Sequence, residues 1–317
     1  MQDKSKVYTG KSGFTVVKRE YFNIRRKIVA NMTTEAWMDV PHASCTYEPD
    51  VTGLLAELKK YNESGKHPRK ITINTLLLKV IVEGIKAEPL VNAHIKFDKK
   101  YVTGCIETYE DINISVPWVL DDGSMMTINL HNFESKTLDE MAEYIADVSR
   151  RIKNTNMTEA MFEVSLDNTL TALKHGHVLK AIRRLIGAKI GKSKVKLLKG
   201  KEKKKYYSIP AEDRLTKADI EQGTITISNL GSLYRSSYII PTLLDVVPPQ
   251  VFVVGIASAV KKPFVIQNEN GEDETVIRSV IPFNLTFDHR ALDFGDFIPF
   301  LNRLDDIFAN PEQIHEW

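Results

Sequence analysis

Cysteine is scarce in this chain: Cys45 and Cys105 are the only two among 317 residues, and no Cys-x-x-Cys pair occurs. This scarcity excludes a disulfide framework and a cysteine-rich zinc site, and it favours reduced thiols in a cytoplasmic protein. No uninterrupted apolar run reaches the roughly 18 residues that a membrane-spanning helix needs. The N-terminal residues lead into no apolar segment, so we predict no secretory signal.

The overall charge is almost balanced, with a net charge of +2, 43% hydrophobic residues and 26% charged residues. Such a composition is typical of a soluble globular protein with a substantial core. The histidines His42, His94, His131, His175 and His177 have no cysteine or carboxylate at metal-ligand spacing. We therefore predict no metal site.

Positive charge is concentrated in a segment that we predict to be a basic insertion, residues 158–219. Its apolar residues recur at helical spacing and are Val178, Leu179, Ile182, Leu185, Ile186 and Ile190. Its basic residues run from Lys180 to Lys205 and are Lys180, Arg183, Arg184, Lys189, Lys192, Lys194, Lys196, Lys199, Lys201, Lys203, Lys204 and Lys205, against Glu202 alone. The pattern predicts a basic amphipathic helix followed by a lysine-rich loop.

This basic segment has three interpretations. It could be a solvated flap that docks its apolar stripe on its own domain, a helix that lies on a membrane surface, or a docking patch for an acidic partner or a phosphate-bearing ligand. The last two would make the protein a peripheral membrane protein or a component of an assembly. Nucleic acid is not expected as a partner, because aromatic residues are not interleaved with the charges; Tyr206 and Tyr207 only follow them.

Hydrophobic periodicity predicts strands interleaved with helices. The predicted helices are 20–38, 52–63 (capped by Thr52), 72–87, a helix capped by Ser135 that runs to about Lys153, and 297–308. The predicted strands are 43–51, 111–119, 125–130, 224–228, 251–256 and 276–287. Because the order shows no regular repeat of βαβ units, we predict an α/β fold with a mixed β-sheet and helices packed on it.

One motif stands out near the C-terminus, where His289 precedes Asp293 by four residues directly after a predicted strand. Histidine is the side chain whose unperturbed pKa lies closest to neutrality, so it is the usual general base for a thiol or hydroxyl nucleophile. Alternatively, the segment is a surface turn in which Asp293 caps the following helix.

Separated segments of the chain resemble the catalytic domain of dihydrolipoyl acyltransferases, the acyltransferase component of 2-oxo acid dehydrogenase complexes. The resembling segments are 26–32 with Val40-Pro41-His42, 70–74, 88–93, 111–116, Gly223-Thr-Ile-Thr-Ile-Ser-Asn-Leu-Gly231 and Asp288-His-Arg-Ala-Leu-Asp293. The resemblance covers about residues 20–157 and 220–310. It implies a single catalytic domain, 1–317, with the two-layer sandwich fold that this family shares with chloramphenicol acetyltransferases.

The resemblance also implies a homotrimer whose active sites lie between subunits and bind acyl-coenzyme A and a thiol acceptor. His289 would be the general base, Ser228 the hydrogen-bond donor to the oxyanion, and Asp293 a structural partner of Arg26 or Arg25. The channel would involve Trp118, Met125, Asn229 and Phe294. The 317 residues contain no segment that resembles a lipoyl domain, so we expect any lipoyl group to come from another chain, such as a lipoylated carrier protein.

The chain departs from the family pattern at two positions. Family members usually have glycine directly after the aspartate, whereas here Phe294 intervenes before Gly295, and the proline expected after the Asp-Gly turn is absent from 124–129. We expect Phe294 to narrow or reshape the channel mouth. Two alternative functions stay open: a small-molecule O-acetyltransferase of the chloramphenicol acetyltransferase type, and a non-catalytic trimeric scaffold or membrane-associated regulator.

Overall fold

A computed structural model describes residues 8–9, 15–120, 123–174, 178–234 and 239–317. Its helices are α1 (Ile24–Asp39), α2 (Thr52–Glu63), α3 (Ile73–Ala87), α4 (Leu138–Lys153), α5 (Met157–Lys174), α6 (Val178–Lys189), α7 (Gly200–Tyr207) and α8 (Ile298–Ala309). Its strands are β1 (Tyr8–Thr9), β2 (Thr15–Val16), β3 (His42–Tyr47), β4 (Ala93–Asp98), β5 (Thr103–Thr108), β6 (Ile114–Val119), β7 (Met125–Leu130), β8 (Ile225–Asn229), β9 (Phe252–Ile256), β10 (Val260–Gln267), β11 (Asp273–Val280) and β12 (Phe283–Asp288).

A six-stranded sheet in the order β3-β12-β9-β8-β6-β7 forms the centre of the molecule. Strand β8 is parallel to both β6 and β9, whereas β12 is antiparallel to β9 and β3, and β7 is antiparallel to β6. The predicted mixed sheet is therefore confirmed. The C-terminal ends of strands β6, β8, β9 and β3 lie along one side of the sheet, which we call the Ser228 edge. The C-terminal end of β12 lies along the opposite side, which we call the His289 edge; both edges run across the strands.

The two faces of this sheet differ in chemistry because successive side chains of a strand point to opposite faces. One face packs into the main hydrophobic core under the helices and includes Ile114, Ile225, Ile227, Phe252, Val254, Phe283, Leu285 and Phe287. The other face is polar and includes Ser44, Ser115, Thr226, Ser228, Asn284 and Thr286. Helix α3 is buried along most of its length, and α8 approaches it so closely that a Cβ on Gly84 would lie 2.5 Å from Leu304 Cδ1.

Two predicted helix caps are wrong. Thr52 lies inside α2 rather than before it, and its hydroxyl accepts a hydrogen bond from Ser279 N at 2.8 Å. Helix α4 begins after Thr137, not Ser135, because Thr137 and Glu140 form a reciprocal capping box. Helix α3 is capped by Thr72, whose side chain accepts a hydrogen bond from Thr75 N; the helix predicted over 72–87 included this residue.

The strand predicted over residues 276–287 is two strands. Strand β11 ends at Val280 and β12 begins at Phe283, with Pro282 between them. Proline has no N–H to donate to a ladder, which explains the break. Strand β11 instead pairs with β10 along its whole length. Strand β10 was not predicted from the sequence, because it contains Pro263 directly after two consecutive lysines, Lys261 and Lys262.

The lysine-rich loop predicted after the basic helix is helical over part of its length, as α7. Tertiary contacts explain this difference. The Tyr206 side chain is buried, and the guanidinium carbon of Arg214 lies 5.1 Å from its ring centroid. These contacts outweigh repulsion between neighbouring lysines, so only the residues before Gly200 form an irregular connection.

A buried ion pair joins α4 to the turn that leads into β8. The Arg151 Nη1 atom lies 3.0 Å from Asp219 Oδ1, with both side chains almost fully buried. We expect Arg151→Ala to lower the free energy of unfolding by about 3 kcal/mol, because it leaves the Asp219 charge buried without its partner. Urea denaturation measures this loss.

The neighbouring Arg150 is a matched control for that substitution. Its side chain is 50% exposed and pairs with Asp147 and Asp213. Arg150→Ala should lower the free energy of unfolding far less than Arg151→Ala does, since exposed pairs are screened by solvent. Equal losses from the two variants would contradict the buried-pair argument.

Candidate functional site

His289 lies at the end of β12, directly after the buried residue Asp288. Its backbone N–H donates to Pro41 O at 3.0 Å, which fixes the chain beside the start of β3. The imidazole is 53% exposed and its ring centroid lies 5.6 Å from that of Phe287 in an edge-on arrangement. The histidine is thus held by its backbone while its ring remains open to solvent.

Asp293 orients this imidazole. Its Oδ1 atom lies 3.1 Å from Nδ1 of His289, which is four residues earlier in the chain. The negative charge of a carboxylate beside Nδ1 favours the neutral ring tautomer that carries its proton on that nitrogen. The Nε2 atom then carries the lone pair, which is the tautomer that a general base requires.

The ion pair predicted between Arg26 and Asp293 is not formed between the described residues of this chain. Arg26 lies in the first turn of α1, where its side chain is exposed and its backbone N–H donates to Asn23 Oδ1 at 2.9 Å. Asp293 is engaged by His289 instead. The resemblance implies Arg26 or Arg25 as the partner, whereas the Asp293 carboxylate lies beside the imidazole four residues earlier in the chain.

The arginine of the same motif has a different partner. Arg290 Nη2 lies 2.6 Å from Asp288 Oδ2, and Asp288 is fully buried. The Asp288 carboxylate raises the pKa of the Arg290 guanidinium, so this pair stays charged. The Arg290 guanidinium also lies 5.7 Å from the Phe97 ring centroid. This arrangement stabilises the turn that carries His289, a role that sequence reasoning did not assign.

Ser228 lies near the end of β8 on the polar face of the sheet. Its side chain is 8% exposed, and within the described part of the chain its hydroxyl has no hydrogen-bond partner. The next residue, Asn229, donates from Nδ2 to Asn74 Oδ1 at 2.8 Å, at the N-terminal end of α3. Asn74 was missed as a site residue; its only sequence signal was a polar side chain at the start of an apolar helix.

A tight turn follows Ser228 and explains the glycine of its motif. Ser232 N donates to Asn229 Oδ1 at 3.0 Å. A Cβ atom on Gly231 would lie 2.5 Å from Ala257 O, which is a backbone atom that cannot move aside. Glycine at 231 therefore allows the chain to pass close to the end of β9 and keeps Ser228 at this edge.

Ser228 and His289 lie at opposite edges of the sheet within one chain. Ser228 is paired in register with Gly255 of β9, and Gly255 is paired in register with Asn284 of β12. His289 comes five residues after Asn284. Five residues along a strand and two strand spacings separate the two Cα atoms by roughly 20 Å. A base and an oxyanion donor must each lie about 3 Å from atoms of one reacting group. One chain cannot place both side chains on the same substrate.

The predicted channel residues are divided between these two edges. Met125 lies at the Ser228 edge, on the same face as Ser228, and is 43% exposed. Trp118 lies at that edge too, but it packs against the main core on the helix-covered face. Phe294 lies at the His289 edge.

Phe294 is 53% exposed and its ring centroid lies 5.1 Å from that of Phe297. It begins a 3-10 turn, Phe294–Phe297, that leads into α8. Gly295 has no positive φ and nothing within 4 Å of an added Cβ. Gly295 therefore serves neither a left-handed turn nor a close approach in this chain.

Other reactive groups do not join these two edges. Cys45 lies on the helix-covered face, where burial raises the pKa of its thiol, and Cys105 is exposed on β5. Within the described ranges, no group of three or more His, Cys, Asp or Glu residues is arranged to hold a metal ion. The Asp121-Asp122 part of the predicted turn lies outside the described residues.

Comparison with known proteins decides the family. The model of the family described as "2-oxoacid dehydrogenases acyltransferase (catalytic domain)" matches residues 15–166 and 201–316. This chain belongs to that family of acyltransferase catalytic domains. The unmatched residues 167–200 lie inside the insertion predicted over 158–219.

A curated relative has the same catalytic domain within a longer chain. The dihydrolipoyllysine-residue acetyltransferase component of the pyruvate dehydrogenase complex of Corynebacterium glutamicum is 26% identical over 284 residues. The match covers 89% of this chain but 32% of that relative, so this acyltransferase chain spans about a third of its length.

Solved structures of the same family show the fold. A probable dihydrolipoamide acetyltransferase from Listeria monocytogenes has a TM-score of 0.61 at 18% identity and covers 92% of this chain and 94% of its own. The Azotobacter vinelandii dihydrolipoamide acetyltransferase has a TM-score of 0.57 at 20% identity, with 94% of both chains covered. The cubic core of the pyruvate dehydrogenase multienzyme complex has a TM-score of 0.58 at 18% identity, also covering 94% of both chains.

Proposed function

We propose that this protein transfers an acyl group between coenzyme A and a dihydrolipoyl-type thiol, at sites formed between two copies of the chain. The family supports the reaction class. The observation that carries the proposal is the pairing of Asp293 with His289 Nδ1, which leaves Nε2 as a base at an exposed edge of the sheet.

In the proposed reaction, His289 Nε2 removes the proton from the acceptor thiol. The resulting thiolate attacks the carbonyl carbon of acyl-coenzyme A, and the carbonyl oxygen becomes an oxyanion in the tetrahedral intermediate. When the intermediate collapses, the bond to the coenzyme A sulfur breaks and the leaving thiolate takes the proton back from His289. The acyl group moves directly between two thiols, so no covalent enzyme intermediate is required.

Ser228 would stabilise that oxyanion by donating its hydroxyl proton in a hydrogen bond. Its hydroxyl is available for this role because no described protein group uses it, and the surrounding burial strengthens such a bond. The Azotobacter vinelandii structure comes from a study of a serine, a histidine and an asparagine in its catalytic mechanism, with the asparagine four positions after the histidine. Asp293 follows His289 at the same spacing.

The separation of roughly 20 Å between Ser228 and His289 requires the two groups to come from different subunits. Apolar side chains are exposed where an interface would form. Ile239 and Leu243 flank Thr242, whose carbonyl accepts from Asn284 on the polar face of the sheet, and Trp37 and Met38 lie near the His289 edge. Exposed apolar clusters of this kind mark association surfaces. A homotrimer with closed rotational symmetry would bring Ser228 and His289 of different subunits together and would cover the exposed apolar side chains.

The thiol acceptor in this proposal is a lipoyl group carried by a separate protein. Arg290, Lys99 and Phe97 border a cleft of about 380 Å³ beside the His289 edge, which offers an entry for a flexible substrate arm. A lipoylated carrier protein is therefore the proposed partner.

Acyl-coenzyme A consumption tests the function directly. The purified protein would receive acetyl, succinyl or branched-chain donors together with free dihydrolipoamide, a lipoylated carrier domain or a panel of small alcohols. Turnover on the lipoyl acceptors that depends on His289 supports the proposal and identifies the donor. Turnover on the alcohols alone would assign an O-acetyltransferase, and no turnover without coenzyme A binding would leave a non-catalytic scaffold.

Loss of the Ser228 hydroxyl should slow the reaction without preventing binding. We expect Ser228→Ala to lower kcat about 100-fold or more, because the oxyanion loses a donor that acts in the transition state. Steady-state kinetics with the identified donor measure the effect. Ser149→Ala, a substitution in the middle of α4 far from both edges, is the control. An unchanged kcat in Ser228→Ala would remove this serine from the mechanism.

A further inference from the structure

Helix α6 carries an exposed apolar stripe. Leu179, Ile182, Ile186 and Ile190 are spaced by three or four residues and therefore share one side of the helix. Their side chains are 71%, 45%, 52% and 66% exposed. The partly buried residues Leu185 and Ala188 lie on another side of the helix, and α6 packs against α5. The stripe is therefore not docked on its own domain.

Positive side chains border this stripe. Helical rotation of about 100° per residue places Arg183 on one side of the stripe and Lys189 on the other, and both are exposed. The main chain of α6 is also tied to α1, because Lys27 Nζ donates to Gly187 O. The helix thus presents its apolar stripe and basic borders outward from a fixed position.

The described positive charges of this region have no acidic partner among the described residues. Residues 168–201 contain no Asp or Glu, and their basic residues are Lys174, Lys180, Arg183, Arg184, Lys189, Lys192, Lys194, Lys196, Lys199 and Lys201. No ion pair involves the described side chains of this set, which are Lys174, Arg183, Lys189, Lys192, Lys194, Lys196, Lys199 and Lys201. Lys192 lies over the Tyr21 ring, 5.4 Å from its centroid, which leaves its charge in place. The surface therefore combines exposed aliphatic groups with positive charges that form no described ion pair.

We propose that α6 and the basic residues after it form a docking surface for an anionic lipid bilayer. Aliphatic side chains on one side of a helix enter the boundary between headgroups and acyl chains, while flanking lysines and arginines bind anionic headgroups. The helix lies in the plane of the surface, since no helix among the described residues is long and apolar enough to cross a membrane.

A bilayer fits this surface better than a protein does. A second copy meeting α6 through the same face would bring the same excess of positive charge into contact with it, which is repulsive. An acidic protein would pair with the basic side chains, but its surface would also have to cover the aliphatic stripe that lies between Arg183 and Lys189. An anionic bilayer supplies both environments in the required order, with charge at the surface and apolar chains beneath it.

Vesicle flotation of the full chain tests the proposal. We expect the protein to float with vesicles of phosphatidylcholine and phosphatidylglycerol, and the bound fraction to be at least about tenfold smaller on phosphatidylcholine alone. High salt should weaken binding, since the attraction of the basic residues is screened. The absence of flotation with anionic vesicles at low salt would overturn the proposal.

Two variants separate the contributions of the stripe and the charges. Leu179→Ser with Ile186→Ser removes apolar contact, and Arg183→Glu with Lys189→Glu reverses the borders; each pair should lower vesicle binding about tenfold. Matched controls are Val265→Ser with Ile277→Ser, which are 68% and 64% exposed on the β10–β11 hairpin, and Lys59→Glu with Lys66→Glu. The controls should bind like the unmodified chain.

Thermal unfolding and acyl transfer in solution verify that each variant is folded. Two other outcomes would overturn the bilayer assignment. If only the charge variant lost binding, the contact would be purely electrostatic and an acidic macromolecule would be the better partner. If the serine variant changed the oligomer mass in analytical ultracentrifugation, the stripe would be an interface between copies of this chain.

Discussion

His289→Ala is expected to lower acyl transfer about a thousandfold, because the acceptor thiol then lacks the base that removes its proton. The structure gives this expectation a geometric basis: Asp293 Oδ1, 3.1 Å from Nδ1, directs the basic Nε2 atom outward. The effect should fall on kcat rather than on the binding of acyl-coenzyme A, since the imidazole acts on the proton and not on the nucleotide. Single-turnover kinetics with the identified donor separate the two.

A second histidine in the chain provides a matched control. His315 Nε2 lies 3.1 Å from Glu57 Oε2, and its side chain is 41% exposed, so it is also a solvent-facing histidine paired with a carboxylate. His315→Ala should leave turnover within about twofold of the unmodified enzyme, as expected for a surface substitution away from the site. If both alanine variants lost activity equally, the loss would reflect folding and not base catalysis.

The sequence could predict those contacts of the site that join residues close together along the chain. His289 and Asp293 are four residues apart, so their contact is possible from spacing alone once a turn between them is assumed. Ser228 was found through the resemblance of its motif, and Gly231 could be understood only from the backbone atom Ala257 O beside it. Helix α3 was predicted within one residue because its long apolar run is ended by Pro89, which cannot continue a helix.

The remaining differences arise from tertiary contacts that leave no local signal. Thr137 replaced Ser135 as a cap because Glu140 completes a reciprocal pair of hydrogen bonds. The Arg26–Asp293 pair required two distant segments to meet, and Asp293 already had a nearer partner. The relation between Ser228 and His289 depends on strand order and register across β8, β9 and β12, which no single-strand pattern contains.

Two inactive chains are expected to restore activity when they assemble together. A His289→Ala chain retains Ser228, and a Ser228→Ala chain retains His289. If each active site takes its serine from one subunit and its histidine from the next, some mixed interfaces contain both native residues. Random assembly of equal amounts in a closed ring makes about a quarter of the sites native. Co-expression of the two chains should therefore recover about a quarter of the unmodified activity, far above either variant alone.

The opposite arrangement predicts a different result. If both residues acted within one chain, mixing would give only the average of two low activities, and the separation across the sheet would have to close by a large rearrangement. Mixing the unmodified chain with a Ser228→Ala/His289→Ala double variant provides the control. Sites shared between subunits should then retain about a quarter of full activity, because both residues must come from unmodified chains, whereas sites within single chains would retain about half. Both experiments use the same substitutions and the same oligomer. The ratio of the two recovered activities therefore shows, independently of the acyl donor, whether the site lies between subunits or within one chain.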